Sequence, residues 1–127
     1  MRIVTWNLNG IRAAIRKGLD DFIERIDADI WLLQEVRALP EQLPKDWSLP
    51  AEQECIWHPA EKKGYSGVAT WSRVGLVEQG KGIGTRLDPN DSEGRVLHTK
   101  CGPLDCINIY LPNGGSGPAR QAYKDQW

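Results

Sequence analysis

Ile30-Trp31-Leu32-Leu33 is apolar at every position and stops on Gln34-Glu35. A short apolar run bounded by polar residues reads as a strand covered on both faces. Whatever fold the chain adopts must layer something above and below that strand. The acid that ends the run adds a second constraint. A carboxylate in a dry place must be paired, hydrogen-bonded or bound to a cation, or else it takes up a proton.

The segments around this run supply part of the cover. Ile3-Val4-Thr5-Trp6-Asn7-Leu8 reads as a buried strand in which Ile3, Thr5 and Asn7 share one face, and Asn9-Gly10 ends it. Ile11, Ile15, Leu19, Phe22, Ile23 and Ile26 recur at spacings of three and four, predicting one amphipathic helix. Gly18 lies inside it, at a cost of about 1 kcal/mol. Strand, helix, strand is an α/β start whose strands should be adjacent and parallel.

Pro40, Pro44 and Pro50 then predict loop, with one short helical turn near Pro40 to Leu43. Afterwards the period shortens. Residues 55–58, 67–72, 74–77, 94–99 and 104–110 read as short strands, too closely spaced for crossover helices and therefore antiparallel. Cys101-Gly102-Pro103 makes a reversal, and Gly80-Lys81-Gly82-Ile83-Gly84 reads as a turn. A glycine-rich loop, residues 112–118, precedes a final helix from Ala119. The expected class is α/β (α+β), mostly antiparallel sheets behind an N-terminal strand-helix-strand unit.

Bulk composition excludes more than it assigns. The 127 residues suffice for one core, and 40% hydrophobic with 26% charged residues excludes a disordered chain. Trp6, Trp31, Trp57 and Trp71 are expected to fill the core. A net charge of −1 gives no global field toward nucleic acid, so any such partner needs a local basic patch. Three scattered cysteines argue against a disulfide framework and predict a reducing, cytoplasmic setting. No apolar run reaches membrane-spanning length, and no export signal precedes the first strand, so no membrane partner is expected.

Asn7 and Glu35 end neighbouring strands, the rim where ligands bind in α/β architectures. An amide and a carboxylate oxygen suit Mg²⁺, although capping by Asn7 and pairing of Glu35 with Arg37 are the plainer alternatives. Lys62-Lys63-Gly64-Tyr65-Ser66-Gly67 is a basic loop able to wrap a phosphate backbone, or simply a solvated turn. Arg95 could clamp a phosphate or pair with Asp91 or Glu93. Tyr110, at a strand end, could hydrogen-bond a phosphoryl oxygen or pack as a strand aromatic. His58 and His98 show no ligand spacing and read as structural.

Five motifs in order carry a family likeness: Trp6-Asn7-Leu8-Asn9-Gly10-Ile11-Arg12-Ala13, Leu33-Gln34-Glu35-Val36-Arg37, Gly64-Tyr65-Ser66-Gly67-Val68-Ala69, Glu93-Gly94-Arg95-Val96 and Asn108-Ile109-Tyr110-Leu111-Pro112-Asn113-Gly114. The chain resembles the N-terminal half of exonuclease III-type apurinic/apyrimidinic (AP) endonucleases, within the wider endonuclease/exonuclease/phosphatase family. The resemblance implies part of a four-layer αββα sandwich and a Mg²⁺- or Mn²⁺-dependent nuclease of base-excision repair. That nuclease would be an AP endonuclease and 3′-5′ exodeoxyribonuclease acting on double-stranded DNA with abasic sites. It implies Glu35 as principal metal ligand, Asn7 as a metal-proximal catalytic residue and Tyr110 as the catalytic tyrosine. Arg37, Lys63, Tyr65, Arg95 and Asn113 become DNA-binding positions, Arg37 standing where the family usually has lysine. Family members run to about twice this length, and their later acidic motifs and terminal Asp-His pair are not present. Residues 1–127 are thus expected to form one incomplete domain. The alternative expectation is an inactive half-domain completed by a second chain or a C-terminal half.

Overall fold

The computed structural model describes all 127 residues. Strand β1 (Ile3–Asn7) is followed by helices α1 (Ile11–Arg16) and α2 (Leu19–Ile26), then β2 (Ile30–Gln34). After a 3₁₀ turn at Pro40–Gln42 come β3 (Glu54–His58), β4 (Val68–Ser72), β5 (Val77–Lys81), β6 (Val96–Cys101), β7 (Leu104–Ile109) and α3 (Pro118–Gln126). One sheet has the order β1-β2-β4-β3 and the other β5-β6-β7. Only β1 and β2 run parallel, Ile3 opposite Ile30 and Asn7 opposite Gln34; every other pairing is antiparallel.

The doubly apolar run has cover on each side. Trp31 and Leu33 of β2 pack with Ile11, Leu19 and Ile23 of the helices and with Trp71 of β4. Ile30, on the opposite face, packs with Cys101 and Cys106 of the second sheet, with Leu32 alongside. Helices, first sheet and second sheet therefore stack as three layers of the expected sandwich. Outside the third layer Val77, Ile107 and Ile109 are exposed at 57%, 56% and 45%.

Three expectations about elements are corrected. The single helix over residues 11–26 is two, because Gly18 adopts φ +99° and the chain restarts at Leu19. The strand expected at 74–77 begins only at Val77, since Gly75 turns at φ +107°. Gly80 and Lys81, expected in a turn, belong to β5, which carries an irregularity between Glu78 and Gly80. Trp31 and Trp71 are wholly buried, whereas Trp6 and Trp57 are half-buried at the core's edge.

Candidate active site

Past the ends of β1 and β2, three loops are stitched by backbone hydrogen bonds. Gly10 N donates to Glu35 O at 2.8 Å and Ile11 N to Val36 O at 2.9 Å. From the other side Val36 N donates to Gly67 O at 3.1 Å and Arg37 N to Ser66 O at 2.9 Å. Clamped between them, Glu35 and Arg37 both take φ +55°. That left-handed backbone costs on the order of 1–3 kcal/mol per non-glycine residue and persists only where neighbours over-determine it.

Glu35 is 9% exposed, yet its two oxygens are treated unequally. Oε1 accepts the Tyr110 hydroxyl at 2.6 Å and lies 3.5 Å from Asn7 Nδ2. Oε2 forms an ion pair with Arg37, but it is buried and receives no aligned hydrogen bond. Burial first, and then the hydrogen bond to Glu35, push the Tyr110 phenol up to about 12. Tyr110 therefore stays a donor across the neutral range. The Asn7 amide oxygen accepts Asn9 N at 2.9 Å, and the flipped amide would set two donors face to face. The group that Asn7 turns to Glu35 is thus its NH₂, while its oxygen, with one of two lone pairs taken by Asn9 N, keeps the other.

Arg95 sits behind Tyr110. Its guanidinium lies 4.9 Å from the Tyr110 ring centroid, and Nη1 donates to Tyr110 O at 3.2 Å. Nε donates to Glu93 Oε2 at 2.8 Å and Nη2 to Tyr65 Oη at 3.2 Å. At 1% exposure this fork has no face left for a nucleic-acid backbone. Four of its five N–H groups bond protein, so of the two expected alternatives the pairing with Glu93 is the one this fold forms. The Glu93 carboxylate is raised by burial, but its hydrogen bonds from Arg95 and Arg120 outweigh this and hold it below the usual range.

Beside Glu35 lies a cleft of about 440 Å³ lined by Asn9, Gly10, Arg12, Ala13, Arg16, Arg37 and Gly64, none of them acidic. Arg12 Nη2 donates to Arg37 O at 3.3 Å, tying α1 to the loop that carries Glu35.

The Endonuclease/Exonuclease/phosphatase family matches residues 4–125. The chain belongs to that family. It is 35% identical over its whole length to an exodeoxyribonuclease of Bacillus subtilis, covering 49% of that protein. Identity is 33% to the DNA repair nuclease APEX1 of Danio rerio, again over the whole chain and 41% of the relative. Among solved structures, the 3′-5′ exonuclease NExo of Neisseria meningitidis superposes with a TM-score of 0.78 at 29% identity, over 100% of this chain and 48% of that one. The chain spans about half the length of the relatives it matches.

The remaining family positions divide in two. Tyr65 is half-buried; its hydroxyl accepts Arg120 Nη2 at 2.9 Å and lies 3.3 Å from Glu93 Oε2. Lys62 stands 5.2 Å over the Tyr65 ring, and Lys63 is exposed. Asn113 is also exposed, its side chain turned back to Gly115 N at 2.8 Å. Two residues that hold the site together escaped sequence reading. Asn108, 1% exposed, donates from β7 to Ala69 O at 2.9 Å and accepts Gln34 Nε2 at 2.8 Å, locking the two sheets beneath Glu35. Arg120 joins Glu93 and Tyr65 from α3. The available signal for Asn108 was an amide centred in the apolar strand Ile107-Asn108-Ile109; nothing in the sequence marked Arg120.

Proposed function

We propose that this chain supplies the metal-binding half of a DNA phosphodiester hydrolase, of the AP endonuclease and 3′-5′ exodeoxyribonuclease type, acting on double-stranded DNA with abasic sites. One observation carries the reading. Glu35 keeps a buried carboxylate oxygen without an aligned donor, on a rim shared with a protonated phenol and an acid-free arginine cleft. The names of the relatives, exodeoxyribonuclease and DNA repair nuclease, give the substrate class.

The donor set fits Mg²⁺ or Mn²⁺ held by Glu35. Such ions take oxygen ligands, and Mg²⁺ needs only one or two carboxylates because it keeps waters and substrate phosphate oxygens. No cluster of three His, Cys, Asp or Glu exists that would make a closed cage. When bound, the cation would supply Lewis-acid polarisation and charge neutralisation at the phosphoryl group. The chain's own residues do the rest. Tyr110 offers a hydroxyl proton at the same rim, Asn7 orients the Glu35 carboxylate, and Arg12, Arg16 and Arg37 grip phosphates. Arg37, with a side chain 46% exposed, can exchange its pairing with Glu35 for a phosphate.

Cleavage of an abasic-site duplex with and without Mg²⁺, by wild type and Glu35→Ala, tests this. Mg²⁺-dependent cutting lost in Glu35→Ala is expected; cutting that survives the substitution refutes the role of Glu35. A second reading has its own support. The site lacks a base to take a proton from water: His58 is buried against Asp91 at 2.8 Å, and His98 pairs with Asp105 at 3.0 Å on β6 and β7. On that reading the chain binds metal and DNA but cuts only when a second chain or a C-terminal half supplies the base. Binding without cutting in the same assay would select it.

A further inference from the structure

We propose that Glu93 is a positioning residue that sets Tyr110 through Arg95. This rests on the reading that Tyr110 and Glu35 form the reacting rim, and it adds the group that holds Tyr110 there. The buried Arg95 guanidinium has one ion-pair partner, Glu93, which it meets through both Nε and Nη2. Both donors converge on Glu93 Oε2, which sets the direction of the fork, and the fork grips Tyr110 twice, over its ring and at its carbonyl. The backbone of Arg95 is held separately. Asp91 Oδ2 accepts Arg95 N at 2.9 Å and Val96 N at 2.8 Å, and Arg95 O accepts Tyr110 N at 2.8 Å.

With its main chain anchored by Asp91, Arg95 has one remaining freedom, the direction of its side chain, and Glu93 sets it. The loop geometry makes this arrangement stiff. At Gly94, between the two residues, an added Cβ would lie 2.6 Å from Pro59 C and 2.7 Å from His58 O. The same Glu93 carboxylate takes Arg120 of α3 and sits beside the Tyr65 hydroxyl. One acid thus aligns the rim tyrosine with two further elements, the 62–67 loop and α3, neither of which hydrogen-bonds the Glu35 side chain.

The test uses the three tyrosines of the chain, Tyr65, Tyr110 and Tyr123. Ring-¹³C-tyrosine NMR of the full 127-residue chain, assigned by Phe substitutions, follows each separately. Glu93→Gln keeps size and removes charge, so the Tyr110 ring signals are expected to shift together with those of Tyr65. Asp105→Asn, on the outer side of β7, is expected to move neither. Glu93→Asp, which restores charge on a shorter arm, is expected to return Tyr110 part of the way. Tyr110 signals that stay at their wild-type positions in Glu93→Gln overturn the proposal. If Glu93→Gln does not fold, Glu93→Asp carries the test: a displaced Tyr110 supports the relay and an unmoved one overturns it. Added Mn²⁺ separates the two ideas, since a cation at Glu35 broadens the Tyr110 lines. No broadening with a shift in Glu93→Gln sinks the metal site alone; broadening without that shift sinks the relay alone.

Discussion

Tyr110 donates to Glu35 Oε1 at 2.6 Å, and its phenol is pushed up to about 12, by burial first and by Glu35 second. An unfolded tyrosine titrates near ~10. The folded chain therefore holds this proton more tightly than the unfolded chain. The resulting stabilisation is complete below pH ~10 and is lost as pH rises through about 12. Urea midpoints measured from neutral to alkaline pH should fall along this limb in wild type and fall less in Tyr110→Phe; coincident limbs would mean Tyr110 is not the group responsible. At neutral pH Tyr110→Phe should also lower stability by roughly 1.5–3 kcal/mol or less, the range for a hydrogen bond to a charged acceptor, with partial exposure favouring the low end. The acid gives the companion prediction. Glu35→Gln keeps the shape and an acceptor for Tyr110 but removes the charge, so Mn²⁺ binding read by calorimetry should drop while the fold, read by circular dichroism, stays. Unchanged Mn²⁺ affinity would show that the cation binds elsewhere.

Gly18 decides between two descriptions of the first helical segment. Inside one continuous helix, Gly18→Ala would stabilise by about 1 kcal/mol. Gly18 instead starts α2 at φ +99° with no atom within 4 Å of a built Cβ. The space is open but the backbone is wrong for an L-residue, so Gly18→Ala should destabilise by about 1–2 kcal/mol. Thermal unfolding gives the sign directly. The same contrast explains what was legible in the sequence. A period of two found β1, an unbroken apolar run found β2 and a period of three to four found the helical faces, because each pattern reflects which sides of an element are packed. They could not find the break at Gly18, where apolar positions keep their spacing across the interruption at φ +99°. Nor could they orient β7, whose Ile107 and Ile109 face out while Cys106 and Asn108 face in, because that orientation depends on a hydrogen-bonding partner 74 residues away. Glu35 and Tyr110 were legible as strand-end polar residues. Arg95 was legible as either clamp or pair, and only the fold, by bringing Tyr65 and Tyr110 to it, chose the pair.

Net charge of −1 describes the chain as a whole and hides how the fold sorts its arginines. Arg73 is spent structurally at one end of the first sheet, with Nη1 at 2.6 Å from Asp27 and Nε at 3.0 Å from Asp29. At the opposite end Arg12 and Arg16 line the cleft beside Glu35, and neither forms a salt bridge. A phosphate backbone laid in that cleft would release about 0.9 counterions per neutralised phosphate. Log affinity against log salt should therefore carry a slope of about −1.8 from these two residues, before any share from Arg37. The double variant Arg12→Gln, Arg16→Gln should flatten the slope by about that amount and weaken binding alike for abasic and intact duplexes, since phosphate contacts position without reading the lesion. Arg73→Gln should leave the slope unchanged while costing stability. Fluorescence anisotropy across a salt series measures both. An unaltered slope in the double variant would mean that duplex DNA approaches another face, and the acid-free cleft would then need a different ligand.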